Sequence, residues 1–164
     1  MPIKNPKELF LTLLSEVREG AELRTKFLQE LTQEVKDPEI KQALEARLFV
    51  SSKVNDTLEQ CFKVIGEKPV KVSGRIMDVF VEDFRKELNE IQSPEARHLF
   101  ILAKINHLTH LRMGAYAALV AAADATGHHG VGVLLESCLA NNMAFVERNR
   151  RLIHERIKAR GAAA

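Results

Sequence analysis

Three times in this chain a small polar residue is followed by proline: Asn5-Pro6, Asp37-Pro38 and Ser93-Pro94. Each pair writes a helix start. The polar side chain accepts from the first free backbone N–H groups, and proline at the first helical position lacks an N–H that would have no partner there. Glu8, three residues beyond Asn5, is placed to close a capping box. Between these marks apolar residues recur every three to four positions and no segment alternates with period two, so the chain is predicted to be all helix.

The first helix is expected over 6–36, with Phe10, Leu13, Leu14, Val17, Ala21, Arg24, Leu28, Leu31 and Val35 inward. The second runs over 38–65, with Ile40, Leu44, Leu48, Ser51, Leu58, Cys61, Phe62 and Ile65 inward. With almost no loop between them, the two fold back antiparallel. A loop containing Pro69 leads to a shorter helix over 74–91 that is expected to bury Ile76, Val79, Phe80 and Phe84. A third long helix over 94–125 carries the stripe Leu99, Leu102, Asn106, Thr109, Met113, Tyr116 and Val120, and stops at Gly127, a left-handed cap. The last runs over 129–159, with Val131, Leu134, Leu135, Cys138, Asn142, Phe145, Leu152 and Ile153 on one side. Residues 161–164 are expected to fray.

At 1.5 Å per residue the long helices span about 40–48 Å. A plain up-down bundle needs no connection of about 28 residues between its second and third long helices. The predicted fold is therefore all-α, a ferritin-like four-helix bundle with a long crossover carrying a short fifth helix. The 164 residues make one domain, 1–164.

Composition narrows the function. With 46% hydrophobic and 28% charged residues the chain is globular, and a formal net charge of +2 gives no general case for nucleic acid or membrane binding. No apolar run approaches the roughly 20 residues of a membrane span. Met1-Pro2-Ile3-Lys4-Asn5 lacks the apolar stretch of a secretory signal. Cys61 and Cys138 fall on apolar stripes and read as reduced core thiols, which points to the cytoplasm. Arg148, Arg150, Arg151, Lys158 and Arg160 form a basic run, but Glu147 and Glu155 intersperse it, as on a solvated helix face. No glycine-rich phosphate loop and no serine–histidine–acid signature is present.

A polar centre is expected where Arg24, Ser51, Ser52, Asn106, Thr109, Tyr116 and Asn142 converge at similar heights. They read as a hydrogen-bonded layer or as a pocket for a small polar or anionic ligand with Arg24 as its charge anchor. His107 and His110 stand three apart but off the stripe, His128 and His129 lie in a turn, and His98 and His154 show no partner in the sequence. None has a carboxylate or thiol at metal-ligand spacing. The second half of the third long helix, with Gly114, Ala115, Ala117, Ala118, Ala121, Ala122 and Ala123, is small-sided and allows close approach of another helix.

The segment Thr109-His110-Leu111-Arg112-Met113-Gly114-Ala115-Tyr116 resembles the third-helix motif of the YciE/YciF group, bacterial ferritin-like proteins implicated in stress responses. That motif reads approximately Glu-His-Tyr-Glu-Ile-Ala-x-Tyr. The opening from Glu8-Leu9-Phe10 through Leu13-Leu14-Ser15-Glu16 is similar to the same group, and the resemblance covers nearly the whole chain. It implies a homodimer and a dinuclear metal site of carboxylates and a histidine at mid-bundle. The ligand positions so implied fall on Ala21, on Phe49 and Ser52, on Thr109, and on Asn142 and Val146, while His110 and Tyr116 are retained. Glu22 and Glu147 take ligand places only if the register slips by one.

A pair of metal ions in a core needs anionic oxygen ligands to offset its charge. Ala, Phe, Ser, Thr, Asn and Val supply none. The expectation is a bundle whose metal site has lapsed, with no cofactor and no catalytic residue, acting as a stress-associated binding or structural scaffold for an unidentified protein partner. The alternatives are a di-metal oxidoreductase or iron-handling protein working through Glu22 and Glu147, and a binder of a small polar ligand at the bundle centre.

Overall fold

The computed structural model describes residues 3–161, with side chains through 158. Among these residues there are five helices and no strand: α1 (Pro6–Glu34), α2 (Pro38–Ile65), α3 (Arg75–Glu90), α4 (Pro94–Ala125) and α5 (His129–Gly161). Every boundary lies within two residues of its expected place, because the caps are those written in the sequence. Asn5 Oδ1 accepts from the Glu8 N–H at 2.9 Å, Asp37 from that of Ile40 at 2.9 Å, and Ser93 from that of Ala96 at 3.3 Å. The Glu8 carboxylate reaches back to the Lys4 N–H at 2.8 Å, so the capping box closes one residue ahead of the cap. Gly127 has φ +77°, the left-handed conformation expected of it. Gly161, expected in the tail, is the last residue of α5; residues 162–164 of that tail, and Met1 and Pro2, lie outside the described residues.

Two apolar clusters fix the topology. One gathers Phe10 and Leu14 of α1, Leu58 and Phe62 of α2, Leu119 and Ala123 of α4, and Val131 and Leu135 of α5. The starts of α1 and α5 therefore share an end of the bundle with the ends of α2 and α4. The other cluster joins Leu28 and Leu31 of α1, Ile40 and Leu44 of α2, Ile101 and Ile105 of α4, and the half-buried Leu152 of α5. Thus α2 and α4 run parallel, and residues 66–93 carry the chain back along the bundle. Within this crossover α3 packs on α1 and α4 and lends Phe84 and Leu88 to the second cluster. This is the all-α bundle with one long crossover that the spacing predicts. Among the described residues no helix is long and apolar enough to cross a membrane.

Two faces differ from expectation. On α3 the buried residues are Met77, Phe84 and Leu88, while Ile76 and Val79 point outward at 69% and 47% exposure. Phe84 sets that orientation by entering a group of rings with Phe27 at 5.0 Å and Phe100 at 5.3 Å. On α4 the buried arc includes Ile101, Ile105, Leu108, Arg112 and Leu119, with Leu99, Asn106, Met113 and Val120 only half-buried at its edge. Helices α1, α3 and α5 all pack against α4, so its buried arc is wider than a single stripe.

Candidate functional site

Between the two apolar clusters every long helix turns a polar side chain inward. Arg24 comes from α1, Arg47 and Ser51 from α2, Thr109 and Arg112 from α4, and Asn142 from α5, and all six are buried. Three of the six are arginines. Among the described residues no aspartate or glutamate is buried, so the layer is cationic without an internal carboxylate.

The three guanidinium groups are unequally satisfied. Arg47 Nη2 donates to Asn142 Oδ1 at 2.5 Å, and its guanidinium carbon lies 4.6 Å from the centre of the Phe145 ring. Asn142 is held for this by donating from Nδ2 to the Cys138 carbonyl at 2.7 Å. Arg112 Nη2 donates to the Val17 carbonyl at 3.2 Å and the Tyr116 hydroxyl at 3.1 Å. Arg24 makes no hydrogen bond: its Nε, Nη1 and Nη2 are all buried without a partner, as are Arg47 Nη1, Arg112 Nε and Ser51 Oγ. Burial pushes the Arg24 guanidinium well below its usual value, and the positive charges of Arg112 and Arg47 push it further. Burial and then Arg112 bring Arg47 down to about 10. The groups are close enough to repel one another, in a setting that solvates charge poorly.

Gly20 makes room for this arrangement. A Cβ there would stand 3.2 Å from Arg112 Nη1. Its absence lets the guanidinium lie against α1 and reach the Val17 carbonyl. Beside it a groove of about 260 Å³ opens between α1, α4 and the start of α3, lined by Leu13, Gly20, Met77, Leu108, Leu111 and Arg112.

Of the residues expected at the centre, Arg24, Ser51, Thr109 and Asn142 meet there. Tyr116 is buried one turn along α4 and touches the layer through Arg112. Asn106 is half-buried at the edge of α4, with its Oδ1 buried and unpartnered. Ser52 does not belong: it is exposed and its hydroxyl donates to the Phe49 carbonyl at 2.9 Å. The inward face of α2 runs through Leu44, Arg47, Ser51 and Val54, which turns Ser52 and the 65%-exposed Phe49 away from the bundle. Arg47 and Arg112 are the residues missed. Their signal was position, since each has inward residues three before and four after it (Leu44 and Ser51; Thr109 and Tyr116), the same pattern that marks Arg24.

These residues do not fit a dinuclear metal centre. Of the implied ligand positions, Ala21, Thr109 and Asn142 are buried at mid-bundle but carry no carboxylate. Glu22 pairs with Arg18 at 3.1 Å on the surface. Glu147 is held on the outside of α5 by Arg150 at 3.0 Å and Arg151 at 3.2 Å, which bring its carboxyl down to about 2. His110 Nδ1 lies 2.9 Å from the Asn106 carbonyl, His128 stacks on Phe10, and His129 pairs with Asp124. His98 has the partners that the sequence did not show, Asp37 at 3.5 Å and Arg156 at 3.3 Å. Among the described residues no group of three or more His, Cys, Asp or Glu side chains could hold a metal ion. Cys61 and Cys138 are free and buried, as expected of core thiols, and burial pushes them to about 12 and about 11.

Solved structures share this architecture. The E. coli stress protein YciF superposes with a TM-score of 0.88 at 20% identity, over 95% of this chain and 99% of that one. YcfI from Rhodopseudomonas palustris, which has been proposed to be a structural protein, gives 0.85 at 23% identity, over 90% and 94%. A protein from Xanthomonas campestris gives 0.67 at 15% identity, over 96% and 99%. At such identities the likeness is one of fold. No curated protein matches the sequence. Residues 5–162 match the profile of a domain of unknown function, DUF892, and the chain belongs to that family.

Proposed function

We propose that this chain is a non-enzymatic, ferritin-like protein of the cytoplasm whose dinuclear metal site has lapsed, and that it serves as a stress-associated structural or binding protein. One observation carries the reading: Arg24, Arg47 and Arg112 occupy the mid-bundle layer, and among the described residues no carboxylate is buried with them. A centre with three guanidinium groups repels cations where a metal pair would need anionic oxygen. The stress protein YciF and the proposed structural protein YcfI share the fold, which supports the role without assigning it. Pairing of two copies belongs to the same proposal, with the exposed small-sided face of α4 at Gly114, Ala117 and Ala121 as the contact.

The test is elemental analysis of protein expressed with added iron, followed by anaerobic ferrous titration and exposure to air. Metal well below one ion per chain is expected, with no oxo-bridge absorption band, and sedimentation should give twice the 18.5 kDa chain mass. Two irons per chain with such a band would overturn the lapsed site. A monomer would remove the pairing.

A further inference from the structure

We infer that Arg24, Arg47 and Arg112 form a binding site for one small tetrahedral oxyanion, inorganic phosphate or sulfate, inside the bundle. Five guanidinium nitrogens on three different helices, together with the Ser51 hydroxyl, are buried without a protein partner. A protonated guanidinium has no acceptor capacity of its own, so these donors require acceptors. Unmatched buried donors and unpaired buried charges are costly enough that folded proteins avoid them.

Among the described residues none supplies a buried anion. No aspartate or glutamate among the described residues is buried. Cys138, the thiol close enough to feel Arg24 and Arg112, is pushed up to about 11 by burial and stays neutral near pH 7. The partners present are neutral oxygens and ring faces: Asn142 Oδ1 and Phe145 for Arg47, the Val17 carbonyl and Tyr116 for Arg112. They orient two of the guanidinium groups and leave the positive charge uncancelled.

The donor set selects the ligand. The free fork of Arg24 matches two oxygens of one anion, and the single unpartnered nitrogens of Arg47 and Arg112 add donors from two further helices, a set that suits a compact ion with oxygens on every side. Phosphate and sulfate present four oxygens and the charge to offset more than one arginine. Arg24 and Arg47 are each only 1% exposed, which leaves no path for a substituent, so the free ion fits and a phosphoryl group on a larger metabolite does not. Arg112, at 7% exposure in the wall of the α1–α4 groove, marks the side from which the ion enters.

This site rests on the same cationic centre as the proposed function but not on the structural role, and anion content is measured separately from metal content. The full-length protein, exchanged into buffer free of phosphate and sulfate, is unfolded and the released ions are read by ion chromatography. About one phosphate or sulfate per folded chain is expected. In parallel, melting temperature is followed against inorganic phosphate, sulfate, acetate and glycerol phosphate, with chloride holding ionic strength constant. Phosphate or sulfate should give a saturable rise of about 5–10 °C at about 100 times Kd. Acetate and glycerol phosphate should not. Arg24→Met, close in volume and uncharged, should abolish both the released ion and the saturable rise, and Arg24→Lys should weaken them.

No released oxyanion together with no saturable rise would overturn the site, and that measurement needs no variant to fold. An equal rise in Arg24→Met would also overturn it, by placing the effect elsewhere. A response to chloride or acetate alone would overturn the tetrahedral ligand, and one to glycerol phosphate would overturn the enclosed free ion.

Discussion

At the scale of the residue, burial acts on charge in opposite directions for the arginines and the thiols. For the arginines it disfavours the charged form, most of all at Arg24, where no acceptor offsets it. For Cys61 and Cys138 it favours the neutral thiol, raising them from about 9 to about 12 and about 11. A group whose folded value is raised gives stability that is complete below its unfolded value and is lost as pH rises towards the folded one. The thiols should therefore destabilise the fold from pH 9 upward, each by about 1 kcal/mol at pH 10. Arg47 has the reverse sign, because its folded value is lowered to about 10, so it adds stability only as pH climbs beyond that. Urea unfolding at pH 8, 9 and 10 on the wild type and on Cys61→Ala/Cys138→Ala isolates the thiols by difference. The double variant should lose less stability between pH 9 and 10. Parallel pH profiles would show that the thiols are not the groups responsible.

At the scale of the element, helix ends were legible because capping is local. Asn5, Asp37 and Ser93 each accept from the N–H three residues on, and nothing distant needs to be known for that. Ser93 opens the 32-residue α4, and its hydroxyl also donates to the Glu95 carboxylate at 2.9 Å. Ser93→Ala should cost about 1 kcal/mol in urea unfolding, and Ser93→Asp should recover most of it, since aspartate also caps. A loss of equal size in both variants would mean that the cap is not the source. Faces were less legible than ends. The resemblance put ligand positions on Phe49 and Ser52, yet the turn of α2 that faces inward holds Arg47 and Ser51. A lone arginine on a helix usually belongs to a solvated face. What buries Arg47 and Arg112 comes from other elements, Asn142 and Phe145 on α5 and the bare backbone at Gly20 on α1. The site was thus half visible in the sequence: all three arginines stand between inward neighbours three before and four after, but the contacts that enclose Arg47 and Arg112 come from packing between helices.

At the scale of the whole molecule, the four long helices share two apolar clusters on either side of the cationic layer, and α3 joins only one of them. It packs mainly on α1 and α4, and its buried side chains are Met77, Phe84 and Leu88. A segment with so few buried contacts opens at lower free energy than the body it lies on. The α3 amides should then exchange with solvent faster than those in the middle of α1, α2, α4 and α5. Phe84 is the hold, 1% exposed and edge-on to Phe27 at 5.0 Å. Phe84→Ala removes a buried ring, a change that costs about 3–5 kcal/mol in well-packed cores. Because α3 sits in the crossover, that loss can be met by releasing α3 while the four-helix body stays folded. Hydrogen exchange should show protection lost over Arg75–Glu90 and retained in the long helices, and the far-ultraviolet helix signal should fall by about the share of its 16 residues. A single cooperative loss across all five helices would instead make α3 part of the same folding unit. The cationic layer would then owe its enclosure to the strap as well as to the bundle, since Met77 stands with Arg112 in the wall of the α1–α4 groove.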